Sequence, residues 1–337
     1  MKIIAALNGL GEYLNTKDEA LKAQINSVSN YNAWFNSANV TIAIDAWAKL
    51  LTSENLTHWI NAEGVLANPM PKKVGLVLAG NIPMVGFHDI LSVLITGHEA
   101  HIKLSSQDQQ LIPMLLEKLI SIAPELKNKI FYPDRLNAVD AVIATGSDNS
   151  SRYFEYYFGN KPHIIRKNRN SIAVLSGKET AEEIAILGKD IFQYFGLGCR
   201  NVSKIYLPKN YDLTFLLAHL ESYQPIADFH KYHNNYDFQK SLLLVNGVKH
   251  LDNGFLLLKE SAALQAAISV LHYEFYDNLE ELTEKINADQ EKIQCVASHL
   301  NLSINSQLVG FGETQQPGLT DYADGINTIA FLKKIAN

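Results

Sequence analysis

The chain has 337 residues, 47% of them hydrophobic and 19% charged. That is enough apolar material for more than one core and too little charge for a disordered polymer, so two globular domains are expected. A formal net charge of -6 supplies no basic face for sequence-independent binding to nucleic-acid phosphates, so no nucleic-acid partner is expected.

The opening stretch MKIIAALNGLGEYLN has one lysine and a short apolar run broken by Asn8 and Glu12, and no export signal is read in it. Nor does any run approach the roughly 20 apolar residues that span a bilayer. A soluble, cytoplasmic protein with no membrane span is therefore expected. Its two cysteines, Cys199 and Cys295, are too few for a disulfide scaffold or a thiolate metal site.

Residues up to about Ile60 read as helical, with Ile44, Trp47, Leu50 and Leu51 at helical spacing. The stretch 61–73, with Gly64, Pro69 and Pro71, reads as a connecting loop. VGLVLAGNIP is then a strand ending near Gly80, FHDILSVLITG a helix, AHIKLSS a strand, QQLIPMLLEKLISIA a helix, AVDAVIATGS a strand and SRYFEYYFG a helix. Apolar runs alternating with helices predict a parallel sheet covered on both faces.

A second series begins with SIAVLSG as a strand and TAEEIAILGKDIFQYFG as a helix, then turns through Leu197, Gly198 and Cys199 into the strand SKIYLP. Further on, 213–223 reads as helix, LLLVNG and GFLLL as strand-like, LEELTEKINA as helix and IQCVAS as a buried strand. The expected domains are 1–168, binding a nicotinamide dinucleotide and including the N-terminal helices, and 169–309, carrying a catalytic thiol. Residues 310–337 form a tail expected to pack back near the site.

Cys199 lies between Gly196 and Gly198 and before a strand. Glycines there permit unusual dihedrals, and such a turn can present a thiol beside backbone N–H groups aimed at a developing oxyanion. Taken alone the motif favours the commoner fate of an intracellular cysteine, a small buried side chain. Cys295, inside IQCVAS, is assigned to the core. Asp228, His230 and His233 suit a polar surface better than a metal site, and no metal is expected. His88 reads equally well as lining a cleft or as a hydrogen-bonded structural histidine. For Asp321, Tyr322 and Asp324, surface capping is the simpler reading than closure of a cleft.

Four blocks in order change the weighting of Cys199: Asn81 with Pro83, Gly97 with Lys103, Thr145–Gly146–Ser147 before a helix, and Cys199 itself. Together they resemble the aldehyde dehydrogenase superfamily. Within it, GNIPMVGFHDIL, FGLGCRNVSKIYLP and PGLTDYADGINTIAFL resemble the acyl-CoA reductase family that includes the LuxC-like reductase subunit of bacterial luciferase operons, over about residues 70–335. The resemblance implies an α/β, aldehyde-dehydrogenase-like fold of two doubly wound domains with the active site in the cleft between them.

The same resemblance implies that Cys199 is the nucleophile, that Asn81 lies beside it, and that Lys103 contacts the cofactor ribose, with Ser105, Ser106, Gly146 and Ser147 in the cofactor site and Glu260 roughly where a ribose-binding glutamate falls. Strongly NAD-preferring relatives often carry a glutamate near Ser106. Serines and Lys103 there favour NADPH over NADH, because a carboxylate would repel a 2′-phosphate.

Hydrolytic aldehyde dehydrogenases have a water-activating glutamate before the domain junction, whereas the corresponding HIIRKNRNS has no carboxylate. Loss of that base leaves a cysteine thioester to be reduced by hydride or exchanged with a thiol. The implied activity is NADPH-dependent reduction of a fatty acyl-CoA or other acyl thioester to an aldehyde. An NAD(P)-dependent aldehyde dehydrogenase and a non-catalytic acyl-binding or acyltransferase partner remain the alternatives. The short 61–73 stretch and the end at Asn337 leave little room for the superfamily's oligomerisation hairpin and final strand, so its standard oligomer is not expected; a homo-oligomer or a partner subunit stays open.

Overall fold

A computed structural model describes residues 2–65 and 70–336. Pro69, one of the residues that marked the loop at 61–73, lies outside the described residues. The chain divides into two compact units, residues 1–168 with 318–337, and residues 169–317.

The first unit opens with four helices, α1 (Lys2–Thr16), α2 (Glu19–Val28), α3 (Ser37–Leu50) and α4 (Ser53–Ala62). Short polar side chains start the last three: Asp18, Asn36 and Thr52 each accept a backbone N–H of the following turn, satisfying donors that a helix start leaves unpaired. Then come β1 (Lys73–Val77), α5 (Phe87–Ile95), β2 (Glu99–Lys103), α6 (Leu111–Ile122), β3 (Ile130–Phe131), β4 (Ala141–Thr145), α7 (Asp148–Phe158) and β5 (His163–Arg166). The strands form one parallel sheet in the order β3-β2-β1-β4-β5. Central β1 buries Val74, Gly75 and Leu76 in succession, as a strand covered on both faces must.

The second unit contains β6 (Asn170–Val174), α8 (Ala181–Phe192), β7 (Val202–Pro208), α9 (Leu213–Ala218), α10 (His230–Val245), β8 (Leu251–Asp252), β9 (Leu257–Glu260), β10 (Val270–Tyr276), α11 (Leu279–Ala288), β11 (Ile293–Ala297) and β12 (Gln307–Val309). Its sheet runs β12-β11-β6-β7-β10-β9-β8, parallel except for the β8–β9 pair. A capping box fixes the start of α8, with Thr180 and Glu183 each bonding the other's backbone N–H.

Three expectations need correction. The strand-like LLLVNG is the last turn of α10 and the residues after it: Leu243 is buried while Leu242, Leu244 and Val245 are exposed. Four consecutive apolar residues have no readable period, and the helix already running from His230 decides their state. The second concerns the tail, whose change of unit falls at Gly318, not at Gly310. Residues 310–317 stay with the second unit because the buried Asp190 carboxylate of α8 accepts from Gly312 N at 2.5 Å, Thr314 N at 3.0 Å and Thr314 Oγ1 at 2.7 Å.

From Gly318 the tail belongs to the first unit and ends in α12 (Thr328–Ala336). Tyr322 is a buried anchor there, not a surface cap. Its hydroxyl accepts from Trp59 Nε1 at 2.8 Å and donates to Glu63 Oε1 at 2.9 Å. His88 packs against the Trp59 and Tyr322 rings and bonds the Leu319 carbonyl through Nε2 at 2.9 Å, a structural role in fastening the tail. Among the described residues, no helix is long and apolar enough to cross a membrane.

Candidate active site

In the first unit the C-terminal ends of β2, β1 and β4 lie side by side, with the chain order reversing across β1. Open parallel sheets bind ligands at such ends. Asn81 follows β1 and is half-buried. A Cβ on Gly80 would fall 2.6 Å from Ser105 Cβ and 2.7 Å from Ser105 Oγ, so only glycine lets the loops after β1 and β2 approach this closely. Asp108, which sequence reasoning missed, joins the same loops. Its buried carboxylate accepts from the backbone N–H groups of Met84 and Leu111, and burial still pushes its pKa up. The signal available was an aspartate just ahead of a helix start.

Lys103 ends β2, exposed, with Nζ donating to the Asp134 carbonyl at 3.0 Å. An ammonium has three donors, so this bond leaves capacity for a ligand. Ser105 is half-buried and accepts from Gln107 N at 3.2 Å; Ser106 is exposed. After β4, Ser147 caps α7 by accepting Ser150 N, and a Cβ on Gly146 would lie 2.8 Å from Ser150 Cβ. An ammonium, serine hydroxyls and a helix N-terminus form a donor set whose chemistry suits the phosphates and ribose hydroxyls of a dinucleotide. Residues 103–107 offer no carboxylate, and Asp108 is turned inward onto backbone donors.

At the end of β5, Arg166 is buried. Nη1 and Nη2 donate to Asp89 Oδ2 and Oδ1 at 2.5 and 3.0 Å, and Nη2 donates to Thr328 Oγ1 at 2.9 Å. Asp89, the carboxylate at this strand end, is thus held bidentately by a guanidinium, a poor arrangement for a base that must accept a proton from water.

In the second unit, α8 stops at Phe192 and the chain reaches β7 through a strained turn. Tyr194 (φ 53°) and Phe195 (φ 60°) are left-handed, followed by Gly196 (φ 74°) and Gly198 (φ 94°). The glycines were legible in the sequence; the two aromatics were not. A left-handed non-glycine residue costs about 1–3 kcal/mol, and here the side chains offset it: both are buried and Phe195 stacks on Phe229 at 4.2 Å.

Cys199 follows the turn, half-buried, its carbonyl accepting from Ser171 Oγ at 3.1 Å. The next side chain, Arg200, is buried and donates through Nη1 to Gln307 Oε1 at 3.2 Å and the Thr314 carbonyl at 3.3 Å. Cys295 is buried within β11, 3.0 Å from Ser171 Oγ, and burial pushes its thiol pKa up. Elsewhere, Glu260 is exposed at the end of β9, and His233 lies 3.5 Å from Asp237 one turn along α10. Among the described residues no group of three or more His, Cys, Asp or Glu side chains is placed to hold a metal ion.

Comparison with known proteins gives a consistent picture. A family model described as acyl-CoA reductase (LuxC) matches residues 8–215. A curated protein of Aliivibrio fischeri, long-chain acyl-protein thioester reductase, is 26% identical over 170 residues, which cover 45% of this chain and 35% of that protein. The match therefore spans about a third of the relative's length.

Solved structures with similar folds include an indole-3-acetaldehyde dehydrogenase complexed with NAD+ (TM-score 0.70, 14% identity, 99% of this chain and 82% of that one). A putative aldehyde dehydrogenase from Burkholderia cenocepacia gives TM-score 0.71 at 11% identity, over 97% of this chain and 80% of that one. A glyceraldehyde-3-phosphate dehydrogenase from Methanocaldococcus jannaschii complexed with NADP gives 0.67 at 13%, over 93% and 81%. Identities this low speak for fold alone, and the fold is aldehyde-dehydrogenase-like.

Proposed function

The chain belongs to the acyl-CoA reductase (LuxC) family, and from that premise we propose that it reduces an acyl thioester to an aldehyde through a covalent thioester on Cys199, with NADPH as the hydride donor. The observation that carries this reading is the contrast between the two thiols. Cys199 is half-buried on a left-handed, glycine-flanked turn, whereas Cys295 is sealed in a strand.

In this mechanism the Cys199 thiolate attacks the thioester carbonyl carbon, and a new C–S bond forms as the carbonyl π electrons move onto oxygen. The Cys199 backbone N–H and the Asn81 carboxamide are assigned as donors to that oxyanion. Collapse breaks the bond to the donor sulfur, expels it as a thiolate and leaves acyl-Cys199. Lys103, Ser105, Ser106, Gly146 and Ser147 would hold the dinucleotide, with Lys103 and the serines favouring a 2′-phosphate. When bound, NADPH supplies the hydride that converts the thioester to an aldehyde and releases the Cys199 thiolate.

The engagement of Asp89 by Arg166 supports reduction over hydrolysis, since this carboxylate, which meets the guanidinium at the end of β5, is held in a bidentate pair and is poorly placed to activate water. The Aliivibrio fischeri relative is named for an acyl-protein thioester, which makes a carrier-protein thioester as reasonable a donor as acyl-CoA.

Intact-protein mass spectrometry tests the reading. Incubation with acyl-CoA or acyl-carrier protein should add one acyl mass to Cys199, and NADPH should then discharge it as aldehyde. Absence of an adduct with either donor, or fast CoA-independent conversion of aldehyde to acid, would sink it.

A further inference from the structure

The neighbouring strands β9 and β10 run parallel, yet residues 261–269 alone return the chain from the end of one to the start of the other. Parallel crossovers commonly need about a dozen residues or more, with a helix to satisfy their own backbone. This one has no helix, so its inward carbonyls need donors from elsewhere. Three side chains supply them. Lys204 Nζ donates to the Ala262 carbonyl at 2.9 Å, His272 Nδ1 to the Ala263 carbonyl at 3.0 Å, and Ser203 Oγ to the Leu264 carbonyl at 2.8 Å.

Ser203 and Lys204 are consecutive, and in a regular strand their side chains would leave on opposite faces of the sheet. The pairing of β7 with β6 slips at this point. Ser171 pairs with Val202 and Ile172 with Lys204, so Ser203 is an extra residue on β7. Such a bulge re-aims side chains, and here both reach the same crossover.

Lys204 differs from the other two donors. It is fully buried, and its ammonium also meets Glu274 Oε2 at 2.6 Å and lies 4.6 Å from the Tyr206 ring centroid, while Lys285 holds Glu274 Oε1. A neutral group is enough to satisfy a carbonyl, as Ser203 and His272 do. Burying an ammonium costs desolvation, and what it gives in return is a stronger, charge-assisted bond. The segment so gripped lies against the turn that presents Cys199: Ala267, Ile268 and Ser269 wall a small gap together with Phe195, Gly196 and Asn201. Ser269, left-handed at φ 66°, closes the crossover by accepting Leu257 N on its carbonyl at 2.8 Å.

We propose that Lys204 is a positioning residue for the acylation of Cys199: its ammonium fixes crossover 261–269 against the Cys199 turn, and the crossover is the wall that orients the incoming thioester. This rests on the reading of Cys199 as the acylated thiol. Orientation of that kind is sensitive, since a displacement of about 1 Å caused away from the chemistry can cost about 100-fold in rate.

Lys204→Met keeps an apolar stem and removes the ammonium, and Lys285 remains to pair with Glu274. Acylation by octanoyl-CoA, or by octanoyl-carrier protein where that is the donor wild type accepts, should slow by about tenfold or more in quenched mass spectrometry. Alkylation of the same thiol by iodoacetamide, a small reagent that needs no orienting wall, should stay within about twofold of wild type. Amide hydrogen exchange over residues 262–268 should quicken. A merely structural role would slow both reactions together or neither.

Ser203→Ala removes a neutral grip and should show the same split between the two reagents on a smaller scale, which keeps the test available if Lys204→Met does not fold. Wild-type acylation in the folded Lys204 variant, or in Ser203→Ala where that variant does not fold, would overturn the proposal. So would alkylation that falls in step with acylation, or exchange over 262–268 no faster than in wild type. If wild-type enzyme itself forms no adduct with either donor, the Cys199 reading falls and takes this role of Lys204 with it; if wild type acylates and the variant acylates equally fast, only the role of Lys204 falls.

Discussion

Ser171 Oγ donates to the Cys199 carbonyl across 3.1 Å, so a fully buried serine on β6 holds the backbone of the residue that follows the strained turn. The same hydroxyl lies 3.0 Å from Cys295 Sγ, which ties the positions of the two cysteines to one small side chain.

Ser171→Ala leaves the Cys199 carbonyl without that donor and should destabilise the protein by about 1 kcal/mol. Acylation of Cys199 should slow several-fold in the same variant, because the thiol's backbone loses a fixed point. Urea unfolding with stopped-flow acylation checks both; unchanged acylation at reduced stability would confine Ser171 to a structural role.

The two thiols should separate in alkylation. Burial raises the Cys295 pKa and closes off access, so iodoacetamide at pH 8 should label Cys199 first and abolish activity. Peptide mapping decides it, and labelling of Cys295 ahead of Cys199 counts against the assignment. Cys199→Ala should keep the fold and bind NADPH yet form no acyl adduct.

Cofactor preference should respond to Ser106, which is exposed just past Lys103. Ser106→Glu places a carboxylate where a 2′-phosphate is expected and should shift the NADPH-to-NADH ratio of kcat/KM toward NADH by roughly tenfold or more. Gly80→Ala should weaken either nucleotide, because the added methyl displaces Ser105. Nucleotide titrations followed by fluorescence provide the readout.

Asp89→Ala strands the buried Arg166 guanidinium and should cost about 3–5 kcal/mol. Replacing both partners with apolar residues of similar volume should recover much of that loss in urea unfolding, since it removes the uncompensated charge. A single variant as stable as wild type would show that Arg166 finds another partner.

Glu274 supplies a pH dependence of known sign. Burial alone would raise its pKa, but the hydrogen bonds and charges of Lys204 and Lys285 outweigh burial and hold the carboxyl below its ordinary value. A carboxyl lowered on folding stabilises the protein above its unfolded pKa and loses that contribution as pH falls through its folded pKa. The stability advantage of wild type over Glu274→Gln should therefore be full at pH 7 and shrink below about pH 4. An advantage that stays constant from pH 7 to pH 3 would show that the ionised carboxylate is not its source.

Much of the fold was legible because its signals are local. Apolar runs such as VGLVL and AVIAT, alternating with amphipathic segments, announce buried parallel strands and their crossover helices over windows of five to twelve residues. The glycines at 80, 146, 196 and 198 were legible for the same reason, since the backbone there is a property of the residue itself. Family motifs carried Asn81, Lys103 and Cys199 as candidates in the sequence itself. Local text failed where a run was too short to have a period, as at the end of α10, and where strands carry only two or three residues, as β3, β8 and β12 do.

What only the tertiary structure decided are the partners, because pairing is set by contacts distant in sequence. Arg166 reaches Asp89 across 77 positions and Thr328 across 162, and nothing near any of the three announces the triad. Asp190 holds Thr314 from 124 positions away and so keeps residues 310–317 with the second unit. Tyr194 and Phe195 take up left-handed backbone that their own preferences oppose, because packing of their rings offsets the strain. The sequence by itself determined which residues were able to carry the chemistry. The apolar run around Cys295 already placed it in the core, where it is buried; burial, which no residue specifies alone, decided that Cys199 stands half-exposed on its turn.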